Sequence, residues 1–244
     1  MANANAKIET VEPGTFAGVV ADEIVASILE SVEERGQCSL VLSGGSTPSA
    51  VYRLLARPPH EQDIPWDKVH LFIGDDKWDN TNFRMVSETL LVHKRCPEAN
   101  IHRIDTTVAN PQAAAATYTQ DIKDFFQLKD GDTPVFDVVL LGVGSDGHIA
   151  SAFPDSTVVH DRESIACAVE HEGIDRITLT PHVLFNGRRI LILVKGRDKA
   201  EIVQRVLSGE DTAQELPATL YKGANDRVTW FLCSEAAQLL NGVF

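Results

Sequence analysis

Asp146 and His148 stand two residues apart in Leu140-Leu-Gly-Val-Gly-Ser-Asp-Gly-His-Ile-Ala-Ser-Ala-Phe-Pro154, a stretch that follows an apolar run and carries three glycines around the pair. Imidazole is the side chain best suited to proton transfer near neutral pH, and a neighbouring carboxylate can orient it. The glycines argue for a bent loop at a ligand-binding edge, more than for a capping Asp beside a packed His.

A second segment, Ser43-Gly-Gly-Ser-Thr-Pro48, lies between an apolar strand and a helix. Gly44 and Gly45 permit backbone conformations closed to other residues and close approach of a ligand, while Ser46 or Thr47 can cap a helix that Pro48 begins. Backbone N–H groups at the positive end of a helix then form a phosphate cradle. No G-K-[ST] follows and no G-x-G-x-x-G is present, so neither a Walker loop nor a dinucleotide fingerprint is read here. A plain tight turn with a helix cap uses the same residues.

Three further segments carry charge. Gly74-Asp-Asp-Lys-Trp78 sets Asp75, Asp76 and Lys77 at the end of a strand, where adjacent carboxylates perturb each other's protonation; a solvated charged loop is the other reading. Arg176-Ile-Thr-Leu-Thr180 opens an apolar strand with a cation. Lys195-Gly-Arg-Asp-Lys-Ala200 puts Lys199 at the start of a helix, where the macrodipole disfavours a cation unless an anion lies nearby. Taken singly, both also fit ordinary surface cations.

The elements that must hold these segments are legible from periodicity. Phe16, Val19, Val20, Ile24, Ile28 and Leu29 recur at helical spacing and predict a helix ending near Gly36. Strands are expected at Ser39–Leu42, Val69–Ile73, Phe136–Leu141, Ser164–Val169, Arg176–Leu179, Arg189–Val194 and Val228–Leu232. Helices are expected at Pro48–Leu55, Phe83–His93, Ala113–Phe126 and Lys199–Leu207, with a closing helix from Glu235. Alternation of strand and helix implies parallel β-α-β units with helices on both faces, and ligands bind such sheets at the carboxyl ends of the strands. Gly209 to Gly223 is the least patterned region and reads as a functional loop. With no linker, low-complexity tract or repeat, residues 1–244 are expected to form a single domain.

Composition narrows the function. At 43% hydrophobic and 23% charged residues, the 244-residue chain is ordinary for a globular protein with a large core. A formal charge of −13 and the lack of a basic patch argue against nucleic acid as a partner. A few N–H groups and cations can still create a local anion site. Cys38, Cys96, Cys167 and Cys233 are scattered without a C-x-x-C pair, which points to reduced packing residues rather than a metal site. No signal sequence or membrane-spanning run is evident, so no membrane association and a cytoplasmic location are expected.

The order and spacing of the five segments resemble the 6-phosphogluconolactonase family and, more distantly, glucosamine-6-phosphate deaminase. The resemblance covers about Val11 to Leu240 and rests on the SGGSTP loop, LGVGSDGHIASAFP, RITLTP, KGRDKA and the late Leu216-Pro-Ala218. The deaminases typically follow the D-G-H loop with Asn-Glu-Pro, whereas this chain has Ser151-Ala-Phe-Pro154, as lactonases do. The resemblance implies an α/β fold, a three-layer αβα sandwich with a mostly parallel, doubly wound sheet, and neither metal nor organic cofactor. It implies hydrolysis of 6-phosphoglucono-δ-lactone to 6-phosphogluconate in the pentose phosphate pathway, functionally coupled to glucose-6-phosphate dehydrogenase.

Carried over by motif, Gly44, Gly45, Ser46 and Thr47 with Arg176 and Lys199 hold the phosphate. Asp75, Asp146 and His148 face the lactone, with His148 activating water and Lys77 or loop N–H groups stabilising the oxyanion. The segment from Asp75 departs from the family: Lys77 replaces an Arg, Thr81 replaces a Ser, and several residues before Thr81-Asn82 are missing. Lys keeps the charge without the planar bidentate fork. A deaminase-like isomerase and a non-catalytic sugar-phosphate-binding relative are the competing readings.

Overall fold

A computed structural model describes residues 6–240. Its ten strands are β1 (Lys7–Val11), β2 (Cys38–Leu42), β3 (Val69–Ile73), β4 (Asp75–Lys77), β5 (Ile101–His102), β6 (Val138–Leu141), β7 (Ala166–His171), β8 (Ile174–Leu179), β9 (Arg189–Val194) and β10 (Val228–Cys233). The helices are α1 (Phe16–Arg35), α2 (Ser46–Leu55), α3 (His60–Asp63), α4 (Thr81–Thr89), α5 (Pro111–Phe126), α6 (Pro181–Leu184) and α7 (Ala200–Ser208).

Seven strands form one parallel sheet in the order β1-β10-β9-β6-β2-β3-β5, flanked by helices. This is the expected doubly wound α/β architecture. From β2 the chain winds outward through β3 to β5, then returns to β6 on the other side of β2 and winds outward again through β9 to β10. The order therefore reverses between β2 and β6, and the crevice above that reversal is where such sheets take ligands. β2 and β6 are buried at every position, as strands covered on both faces must be.

The lower ends of these two strands are pinned by one carboxylate. Buried Asp137 accepts from the Ser39 N–H and hydroxyl at 2.8 Å each and from Arg35 Nε at 2.7 Å. Removing it strands the buried Ser39 donors. Asp137→Ala is accordingly expected to cost roughly 2 kcal/mol, a fall of about 4–8 °C in melting temperature for a chain of this size. A calorimetric scan showing an unchanged transition would contradict that role.

Several elements differ from the sequence expectation. The strands expected near Ser164 and Arg176 leave the parallel sheet and make a separate antiparallel sheet, β4-β8-β7. They are joined by a turn at Glu172 and Gly173, both at positive φ, so no helix intervenes to make them parallel. The helix expected to run to His93 ends at Thr89, before Lys94 at positive φ and Pro97. In place of a closing helix from Glu235, residues 234–239 make turns in which Cys233 O accepts from Ala236 and Ala237; Ala236 is buried in the core while Leu239 stays exposed. The remaining part of that expectation, 241–244, lies outside the described residues. β1 was not expected: its five residues are half exposed at the sheet edge and carry little pattern.

The four cysteines are free, three of them buried. Among the described residues no helix is long and apolar enough to cross a membrane.

Candidate functional site

A cleft of about 360 Å3 opens over the β2/β6 reversal, within the size range of small-molecule sites. Its walls come from the loops after β2, β6 and β9, joined by Asp75, Asn82 and Arg176. Of the residues singled out in the sequence, Gly44, Gly45, Ser46, Thr47, Asp75, His148, Arg176 and Lys199 line it, and Asp146 stands directly behind His148. Lys77 does not line it.

The loop after β2 is held rigidly. Ser43 is clamped by the buried Tyr52 hydroxyl, which donates to Ser43 O at 2.9 Å and accepts from Ser43 N–H at 3.0 Å. Gly45, at φ 103° and ψ 172°, is the residue that turns the chain into α2, and that φ favours glycine. The expected cap is corrected here: α2 begins at Ser46, two residues before Pro48, and neither Ser46 nor Thr47 caps it through a side-chain hydrogen bond. The first N–H groups of α2 have no partner within the helix, and Ser46 and Thr47 at its positive end line the cleft. Arg176, from β8, and Lys199, from the segment after β9, add two cations to its walls.

Asp146 and His148 form a local pair. Asp146 Oδ1 lies 2.6 Å from His148 Nδ1 and also accepts the His148 N–H at 3.1 Å. This leaves Nε2 as the ring nitrogen for a substrate or water. Partial burial pushes the Asp146 carboxyl up, but the His148 ring and N–H outweigh it and hold it below its ordinary value. Two glycines make the pair sterically feasible. A Cβ on Gly144 would stand 2.1 Å from His148 Nδ1 and 2.6 Å from Asp146 Oδ1. Gly147 adopts φ 86° and packs against Leu216, and its carbonyl accepts from Ala218 N–H at 2.9 Å. The Leu216-Pro-Ala218 stretch within the unpatterned 209–223 region thus packs against Gly147 of the Asp146–His148 loop.

Asp75 and Asp76 are not a solvated loop. Their strand β4 pairs with β8 and buries both carboxylates, facing opposite sides as successive strand residues do. Asp75 faces the cleft, takes a 2.7 Å hydrogen bond from Ser151 Oγ, and has its carboxyl pushed up by burial against the opposing pull of Ser151 and Arg176. Asp76 accepts the N–H groups of Asn82 and Phe83 at 2.8 Å each, fixing the start of α4, while burial raises its carboxyl to about 6. Lys77 shares the face of Asp75 and pairs in register with the lining residue Arg176, though it does not itself line the cleft.

Sequence reading missed three residues. Phe153 touches the His148 ring at 4.7 Å between centroids and lies under the Arg176 guanidinium at 5.1 Å, linking imidazole and cation. Ser151 and Asn82 both bond Asp75. Asn82 had a signal, its position beside the departing Asp75–Thr81 segment, whereas Ser151 lies 76 residues from its partner. Among the described residues no group of His, Cys, Asp and Glu is arranged to hold a metal ion.

Comparison with known proteins bears on this arrangement. A family model described as glucosamine-6-phosphate isomerases/6-phosphogluconolactonase matches residues 12–230. A 6-phosphogluconolactonase of Synechocystis is 33% identical over 222 residues, covering 89% of this chain and 90% of that protein. The solved 6-phosphogluconolactonase of Trypanosoma cruzi superposes with a TM-score of 0.82 at 28% identity, over 97% of each chain. A monomeric glucosamine-6-phosphate deaminase shares the fold alone, at TM-score 0.79 and 21% identity over 96% of this chain and 99% of that one. Sheet order, cleft and family match agree, and the chain belongs to the glucosamine-6-phosphate isomerase/6-phosphogluconolactonase family.

Proposed function

We propose that the chain hydrolyses 6-phosphoglucono-δ-lactone to 6-phosphogluconate, with His148 as the general base. The observation that carries this reading is the Asp146–His148 pair, oriented at 2.6 Å, in the same cleft as the N-terminus of α2, Arg176 and Lys199. A phosphorylated lactone needs both parts of such a site: an anion cradle and a base.

In this mechanism the α2 N–H groups, Ser46, Thr47, Arg176 and Lys199 hold the phosphate. His148 Nε2 takes a proton from water as its oxygen bonds to C1, and Asp146 fixes the tautomer and stabilises the imidazolium. The negative charge on the former carbonyl oxygen falls to loop N–H groups at Val143 and Ser145, which line the cleft beside His148. Lys77, which does not line the cleft, contributes its charge at longer range. The tetrahedral intermediate collapses with cleavage of the C1–ring oxygen bond, and the proton on His148 passes to the ring oxygen. Asp75 faces the sugar hydroxyls. No step calls on a metal or organic cofactor. The chain acts as one domain, in the cytoplasm, consuming the lactone that glucose-6-phosphate dehydrogenase supplies, with no nucleic acid or membrane partner.

Lys199→Ala is expected to raise KM by about 10-fold or more with little change in kcat, the signature of lost phosphate binding shared by ground and transition states. Unphosphorylated glucono-δ-lactone should be a poor substrate for the parent enzyme and indifferent to this substitution. A large fall in kcat at constant KM would contradict the assignment. Incubation with glucosamine 6-phosphate should release no ammonia; release at a rate exceeding lactone hydrolysis would favour the isomerase reading.

A further inference from the structure

Gly44 is a glycine for a reason other than its backbone conformation. Its φ lies outside the left-handed region, unlike that of Gly45, so its φ does not call for glycine. A Cβ there, however, would stand 2.1 Å from Asn82 Oδ1, 2.3 Å from its Cγ and 2.5 Å from its Nδ2. The Asn82 amide occupies the space that a side chain at residue 44 would need. The same amide donates from Nδ2 to Asp75 O at 2.8 Å and approaches Asp75 Oδ1 at 3.5 Å. Its backbone N–H is tied to Asp76 Oδ1 at 2.8 Å, so the residue is anchored on β4 before its side chain reaches the loop after β2. Gly44, Asp75 and Asn82 all line the cleft.

We propose that Asn82 is a positioning residue that locks the phosphate-binding loop to Asp75, with Gly44 and Asn82 acting as one interdependent pair. The amide sets the register between the end of the cleft that holds phosphate and the carboxylate that faces the sugar. The proposal rests on the reading of the cleft as the lactone site.

A double-mutant cycle tests it. Wild type, Gly44→Ala, Asn82→Ala and the double variant are compared in kcat, KM for the phosphorylated lactone, and melting temperature. Gly44→Ala alone should raise KM about 10-fold or more, because the methyl must displace the amide; Asn82→Ala alone should do so to a similar degree. The double variant should be no worse than Asn82→Ala, because the methyl then enters vacated space and the two effects fail to add. Additive losses, or an Asn82→Ala variant with wild-type KM and a lowered melting temperature, would overturn the proposal. Should Asn82→Ala fail to fold, Asn82→Ser retains a donor in a smaller volume and carries the same cycle. If the wild type does not hydrolyse the lactone, the activity reading fails by itself, and the cycle is read instead on inorganic phosphate binding by calorimetry. There the same non-additivity supports the pair, while additivity or no phosphate binding by the wild type overturns it.

Discussion

Gly144→Ala is expected to lower kcat for the lactone by ~10²–10⁴-fold, the full worth of general-base help, while leaving the protein folded. The reason is steric. Gly144 does not need a left-handed conformation, but an added Cβ would lie 2.1 Å from His148 Nδ1, 2.3 Å from its Cε1 and 2.6 Å from Asp146 Oδ1. One methyl group therefore expels both members of the pair from their present positions. Their contributions act as a unit, so losing both costs little more than losing His148 alone. Gly142→Ala, whose methyl meets nothing nearer than Ser43 Oγ at 3.9 Å, is the comparison variant and should lose far less. Steady-state kinetics with a thermal scan of each variant checks the claim; a Gly144→Ala enzyme with near-wild-type kcat would show that the pair is not held where catalysis needs it.

The general shape of the fold was legible because buried parallel strands write themselves as apolar runs. β3 and β9 have the expected boundaries, and α1 ends at Gly36, whose φ of 80° supplies the expected stop. What periodicity does not carry is the pairing partner. β7 and β8 look like any other strands in sequence, and their separation into a second sheet depends on a turn too short for a crossover and on pairing with β4, three residues of mixed charge. Asp75-Asp-Lys77 leaves a solvated loop and a pair of perturbed carboxylates equally open until it is known that β8 and Ser151 cover it. The edge strand β1 and the turns after β10 bury too little apolar surface to leave a pattern.

The candidate site divides along the same line. Gly45, Asp146 and His148 were visible because glycine beside a titratable or hydroxyl residue, just past an apolar strand, is a local signature. Gly44 reads as a site of backbone freedom and close approach of a ligand; its packing against the Asn82 amide is not legible, since only the folded chain brings Asn82 against it from 38 residues away. Phe153, which packs on His148 and beneath Arg176, is indistinguishable in sequence from a core aromatic. Lys77 falls among the site residues in sequence because it stands where the family has an Arg; the structure sets it on the face of Asp75, in register with Arg176, without lining the cleft itself.

The central claim is tested most directly by following acid release from freshly generated 6-phosphoglucono-δ-lactone, against its spontaneous hydrolysis, with wild type and His148→Ala in the same run. The wild type should accelerate acid release well above background, and His148→Ala should lose ~10²–10⁴-fold in kcat, with residual activity from the phosphate cradle and oxyanion donors. A folded wild type with no acceleration, or a His148→Ala variant with full turnover, would contradict the account.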